Sequence, residues 1–171
     1  MAIWQFKIEV VPSERVRDRA EITEAEFDDA GWWSDRQPPS DFSQQLAAML
    51  PPTKSWSEKL LWFGKNDGDR FDVWMENDRM HSFQVRLDCQ RPNHPLMDGL
   101  LRIAGDWSCS FIELRYLQVL PLNRSDFINA IAMSPSNRFM ENPALWLPKL
   151  AAEVKERERR KVSDEGDASN P

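Results

Sequence analysis

The chain has 171 residues, 41% of them apolar and 29% charged, with a net charge of −6 at pH 7. That length allows one domain with a real core but not two of ordinary size, and the composition is globular, unlike that of a disordered chain. The negative balance argues against nucleic acid as the partner, because phosphate binding needs a basic footprint.

The N-terminus reads MAIWQFKIEVV. Trp4, Phe6, Ile8 and Val10 fall on one side of it and Gln5, Lys7 and Glu9 on the other, the period of two that predicts a half-buried strand near 2–11. Such alternation is not a secretory signal, and no apolar run in the chain approaches the ~18 residues of a membrane span. Thr23 followed by Glu26 has capping-box spacing, so a short helix is expected there, confined by Gly31 and Pro38-Pro39. Ser40 caps a second helix that carries Phe42, Leu46, Met49 and Leu50 on one side and is stopped by Pro51-Pro52.

Three strand-like runs follow between 59 and 89: LLWF, RFDVWME and MHSFQVRLDC, joined by KNDGD and NDR. Connections this short join antiparallel neighbours, so a meander is predicted. Leu96, Leu100, Ile103, Ala104 and Trp107 recur at helical spacing behind Pro95. Residues 110–120, SFIELRYLQVL, read as one strand ended by Pro121. Ser125 opens a helix that breaks at Ser134-Pro135, and a last helix starts near Pro143 and turns polar at KERERRK. The polar residues 163–171 are expected to be a disordered tail behind a single domain of residues 1–162. The order of elements gives an α+β fold, an antiparallel sheet with its helices mainly on one face.

Candidate chemistry is sparse. Asn66-Asp67-Gly68-Asp69 lacks the ligand spacing of a calcium loop and reads instead as a hairpin turn made by Asp67 and Gly68. His81, Cys89, His94 and Cys109 form no paired zinc motif, and the two cysteines are expected to stay reduced. No phosphate loop, dinucleotide fingerprint or nucleophile elbow occurs. No catalytic residue, metal or cofactor is therefore expected, and the chain reads as a cytoplasmic protein that is more a binder than an enzyme.

Strand parity does mark a surface. With Phe71, Val73 and Met75 turned to the core, Asp72, Trp74 and Glu76 point outward; with Phe83, Val85 and Leu87 inward, Gln84, Arg86 and Asp88 point outward too. Asp72, Glu76, Arg86 and Asp88 are the candidate ligand cluster of an enzyme or ligand-binding protein, although cross-strand ion pairs on a solvated face look the same. Trp62 and Trp74 share that face, and Trp with Arg is the composition of interface hot spots; burial by another part of the chain is the alternative.

A second feature is acidic. Residues 21–41 hold seven carboxylates against Arg36 alone, a balance of six negative charges that equals the whole net charge of the chain. Asp28, Asp29 and Asp35 surround Trp32-Trp33, a combination suited to a basic protein partner if the tryptophans are exposed, and to a solvated helix end if they turn inward.

The run WFG, a DG turn, FDVWMEND, QVRLD, a helix, a strand ending before LPL, and AMSPSNRFMENPALWLPKL resembles small bacterial α+β proteins over residues 58–150. Among these, immunity proteins of bacterial toxin systems are similar in being small, acidic and cytoplasmic. The resemblance implies a non-enzymatic inhibitor that holds a basic toxin domain. A small enzyme or ligand-binding protein and a homodimer joined through the aromatic face are the alternatives, with neither nucleic acid nor membrane as partner.

Overall fold

A computed structural model of the chain describes residues 3–167, the side chains of Asp29, Arg157, Glu158 and all residues from Arg160 onward excepted. Seven strands form one antiparallel sheet: β1 (Gln5–Pro12), β2 (Pro52–Thr53), β3 (Leu60–Gly64), β4 (Arg70–Glu76), β5 (Arg79–Asp88), β6 (Cys109–Glu113) and β7 (Gln118–Leu120). Their order is β2-β3-β4-β5-β1-β6-β7, so the first strand in sequence lies inside the sheet. The helices are α1 (Glu24–Asp29), α2 (Phe42–Met49), α3 (His94–Asp106), α4 (Arg124–Met133), α5 (Pro135–Glu141) and α6 (Pro143–Asp167). The fold is α+β, as the sequence predicts. Helix α6 runs to Asp167, five residues into the tail expected from residue 163, and residues 168–171 lie outside the described residues.

The core lies on the inward face of the sheet. Phe6, Ile8 and Val10 of β1 line up with Phe71 and Val73 of β4 and with Phe83, Val85 and Leu87 of β5, all at most 2% exposed. Phe83 sits between Phe71, edge-on at 5.7 Å, and Trp107 at 6.1 Å. Helix α3 presents Leu96, Met97, Leu100, Ile103 and Ala104 to this layer, its first turn fixed by the Asn93 side chain accepting from the Leu96 N–H at 3.1 Å. Helix α2 approaches α3 closely enough that a Cβ at Gly99 would lie 2.6 Å from Met49 Sδ. Further along the sheet, Phe111 of β6 stacks on Phe127 of α4 at 5.3 Å.

Two turns differ from their sequence reading. The β3–β4 loop forms where the meander predicts it, but the positive φ falls on Gly64 (+93°) and not on Gly68. A side chain at Gly64 would place Cβ 2.2 Å from the Asp69 carbonyl oxygen, so that close approach is what requires glycine. The run 110–120 is a hairpin, β6 and β7, and not one strand. Glu113 makes the reversal by accepting from the Arg115 and Tyr116 N–H groups at 2.9 and 2.7 Å, while Leu117 takes φ +55°. The β4–β5 turn places both Asn77 and Asp78 at positive φ (50° and 59°), the backbone that matches strand twist in a two-residue hairpin.

Between β1 and α2 the chain folds back along the sheet. Ile22 N–H donates to the Leu117 carbonyl and Val119 N–H to that of Ala20, so this stretch shields the β7 edge. Thr23 and Glu26 form the predicted capping box of α1. Trp33 Nε1 then donates to the Val10 carbonyl at 3.0 Å, and the Gln37 amide both accepts from the Met80 N–H at 2.6 Å and donates to the Met80 carbonyl at 3.0 Å. Gln37 thus supplies by side chain the hydrogen bonds a neighbouring strand would supply by backbone. Trp32 and Trp33 are 8% and 1% exposed. They are core residues, so of the two readings of this pair the inward one holds, and as partner-binding candidates Trp32 and Trp33 are corrected to buried indoles that add area to the interior.

Candidate functional site

The outward face of the sheet is built by parity in two adjacent rows. One runs Trp62, Asp72, Gln84, Glu9, Ile112, Val119, each opposite the next across strands β3, β4, β5, β1, β6 and β7. The other runs Gly64, Arg70, Arg86, Lys7. Three cations therefore stand side by side on β4, β5 and β1, a placement that costs stability unless an anion answers it. Asp72 answers two of them: its Oδ1 lies 2.8 Å from Arg70 Nε and its Oδ2 2.7 Å from Arg86 Nε. Neither Nε–H points along its contact, and the hydrogen bond to the carboxylate is made instead by Arg70 Nη2, which donates to Asp72 Oδ2 at 3.2 Å. The Arg70 guanidinium also donates to Asn66 Oδ1 and lies under the Trp62 ring, 4.4 Å from its centroid.

Lys7 and Glu9 complete the group. Burial is the main force that lowers the Lys7 pKa, and the neighbouring Arg86 charge acts in the same direction, against Asp72. Glu9 is 1% exposed, and desolvation pushes its carboxyl up to about 7 despite the Phe83 N–H donating to Oε1 at 3.0 Å. That hydrogen bond explains the residue's position. The β1–β5 ladder ends at Glu9 opposite Gln84, and the Phe83 N–H beyond it takes the Glu9 carboxylate in place of a strand carbonyl.

Beside the charged rows lies an aromatic edge. Trp56, in the loop between β2 and β3, is 72% exposed and meets the half-buried Trp74 edge-on at 5.5 Å. An open cavity of about 530 Å³ lies there, with Trp56, Trp62, Lys54, Glu58 and Ser43 among its walls.

The predicted ligand cluster does not assemble. Asp72 and Arg86 are in contact, but Glu76 ends β4 opposite Arg79 and Asp88 ends β5 opposite Gln5. Glu76 is four residues along β4 from Asp72, roughly 13 Å at strand rise. The Asp88 carboxylate accepts from the Gln90 N–H, a local turn bond. Asp69, from the acidic turn, ties structure together: it accepts from the Asp88 N–H at 2.8 Å and from the Asn93 side chain at 3.0 Å.

Among the partner candidates, Trp62 and Trp74 are half-buried on the outer face, Asp28 is exposed, and Asp35 is exposed with Arg15 3.6 Å away. The side chain of Asp29 lies outside the described residues. Glu26 is also answered, by Arg19 at 2.8 Å. The acidic stretch begins at the β7 edge, where Glu21 pairs with Gln118, while Trp56 and Trp74 belong to the β3–β4 side. Carboxylates and exposed indoles thus do not make one patch.

Lys7, Glu9 and Arg70 were not singled out by sequence reasoning. Lys7 and Glu9 alternate as the polar side of a half-buried strand should, and only the central place of β1 buries them. Both cysteines are free and buried, with thiols pushed up by desolvation to about 11 for Cys89 and about 12 for Cys109. They are poor nucleophiles. Among the described residues no group of three or more His, Cys, Asp or Glu is placed to hold a metal ion, and no helix is long and apolar enough to cross a membrane. Comparison with models of known families, with curated proteins and with solved structures finds no match to the chain.

Proposed function

We propose that the chain is a non-enzymatic protein-binding domain, of the immunity-type inhibitor class, that meets its partner through the aromatic edge of the outer sheet face. The observation that carries this reading is Trp56, 72% exposed and braced by Trp74 at 5.5 Å. A large indole held out to solvent on a second aromatic ring is pre-organised contact area, and residues of this kind dominate binding energy when an interface dries. The half-buried Trp62 and the 530 Å³ cavity extend the same surface. A basic toxin domain would find further attraction in the exposed Glu21, Glu24 and Asp28, at the opposite edge, through long-range steering.

The test is calorimetric titration with the toxin candidate encoded beside this chain. Wild type is expected to bind, and Trp56→Ala to weaken binding at least ten-fold while the melting temperature stays within a few degrees. Equal affinity of the variant would remove the aromatic edge from the interface. Lack of binding by wild type would overturn the immunity-type reading.

A further inference from the structure

Strands β1 and β5 pair from Gln5 opposite Asp88 to Glu9 opposite Gln84 and then part. Beyond that point β1 continues against β6 through Val10, Val11 and Pro12, while β5 from Arg79 to Phe83 stays with β4. The split is bridged by side chains. At its apex the Glu9 carboxylate takes the Phe83 N–H. Across its open end lies segment 31–37, which belongs to no helix or strand. Trp33 ties this segment to β1 through the Val10 carbonyl, and on β5 Gln37 holds both backbone groups of Met80 while Arg79 donates to the Ser34 carbonyl at 2.9 Å. The Gln37 amide also donates to the Trp33 carbonyl, so the two anchors are joined.

We infer that segment 31–37 is a latch over this seam and that ionisation of Glu9 releases it. A carboxylate 1% exposed loses its water on closure, and Asp72 on β4 adds a like charge to its surroundings. Ser82 and Gln84 offer it side-chain hydrogen bonds, which favour the ion but do not outweigh burial. The other charged groups around the seam are Lys7 on β1, Arg86 and the exposed His81 on β5, and Glu113 on β6, which accepts from the Arg115 and Tyr116 N–H groups. On the latch, Asp35 and Arg36 face Arg15 and Glu14. Among the described residues no cation forms an ion pair with Glu9. Opening the seam is the least disruptive way to return water to the ion, because it breaks side-chain bonds and leaves every strand ladder intact. A closed seam keeps the Glu9 proton up to about 7, against 4.5 for a solvated glutamate, so closure is strongest below 4.5 and is lost as pH rises through 7. The latch carries Trp32 and Trp33, and its release bares two indoles that are core in the closed form.

The test is hydrogen exchange of the intact protein at pH 5 and pH 8, read by NMR at the Phe83 and Met80 amides and the Trp33 indole N–H and corrected for intrinsic rates. All three are expected to lose protection by about ten-fold or more at pH 8, and to exchange faster there than the slowest β4 amides, which report global unfolding. The loss is expected to persist in His81→Gln and to vanish in Glu9→Gln. In Gln37→Ala the Phe83 amide is expected to exchange faster at both pH values. Equal protection at the two pH values, seam groups no faster than the β4 amides, an unreduced loss in Glu9→Gln, abolition of the loss in His81→Gln, or an unchanged Phe83 amide in Gln37→Ala would each overturn the inference. Wild-type protein alone supplies the first two of these outcomes, so a variant that fails to fold does not shelter the latch from disproof. No partner enters the experiment, which keeps its outcome separate from that of the protein-binding reading.

Discussion

The same four strands present two faces of opposite character. Inward, β1, β3, β4 and β5 show phenylalanine and aliphatic side chains that interlock with α2 and α3. Outward, they show Arg70, Asp72 and Glu9, which are buried almost as deeply, at 4%, 3% and 1% exposure. Alternation with a period of two separates the faces, but it does not say that the polar one is wet. The inward face is held by contact area, which tolerates any residue of the right shape; the outward face is held by a charge arrangement in which each member depends on the others.

Three substitutions break that comparison at different depths. Phe83→Ala removes the ring between Phe71 and Trp107 and is expected to cost about 4 kcal/mol, read as a fall in the urea midpoint that salt does not alter. Asp72→Asn keeps volume but leaves Arg70, Arg86 and Lys7 without their shared anion. A loss of about 3 kcal/mol is expected, reduced in concentrated salt, since the variant's defect is repulsion and the phenylalanine variant's is a cavity. Equal salt response in the two variants would show that the faces are held by the same forces after all.

The third concerns pH. In the folded chain Glu9 keeps its proton up to about 7, while an unfolded glutamate gives it up near 4.5. Its contribution is therefore fully present below 4.5 and is lost as pH rises through 7, an effect of about 3 kcal/mol at most for a shift of that size. Glu9→Gln retains an acceptor for the Phe83 N–H and has no proton to lose. Unfolding measured at pH 5 and pH 8 is expected to show the variant less sensitive to pH than wild type, with its advantage at the higher value. A pH dependence as steep as that of wild type would place the ionised carboxylate in a better-solvated position than the structure gives it.

Much of this architecture is legible in the chain because local signals agree with the fold. The polar-apolar alternation of β1, β4 and β5, the capping box of Thr23 and Glu26, and the Pro135 that separates α4 from α5 each act within a few residues. The β6–β7 reversal is not legible for the converse reason: ELRYLQ has no glycine or proline, and the turn is made by the Glu113 carboxylate capping two N–H groups behind it. Strand β2 is hidden because Pro51-Pro52 signals only a helix stop. The site was read in part. Parity put Asp72, Arg86, Trp62 and Trp74 on one face, and Arg70, two residues before Asp72 on β4, has the same parity and was overlooked, whereas Lys7 joins them only through the pairing of β1 with β5. Glu76 and Asp88, which share the parity, are carried to opposite ends of the sheet by distance along the strands.

The place of β1 has a consequence in time. Its partners, β5 and β6, begin more than seventy and one hundred residues later, so during synthesis the first strand emerges with both of its edges unmatched. At ~5–20 residues per second it waits for seconds while the meander β3–β4–β5 can already close through short loops. The charged half of β1 lowers the risk of that wait: Lys7 and Glu9, later withdrawn into the sheet, are in the nascent chain the residues that discourage a bare strand from pairing with its neighbours.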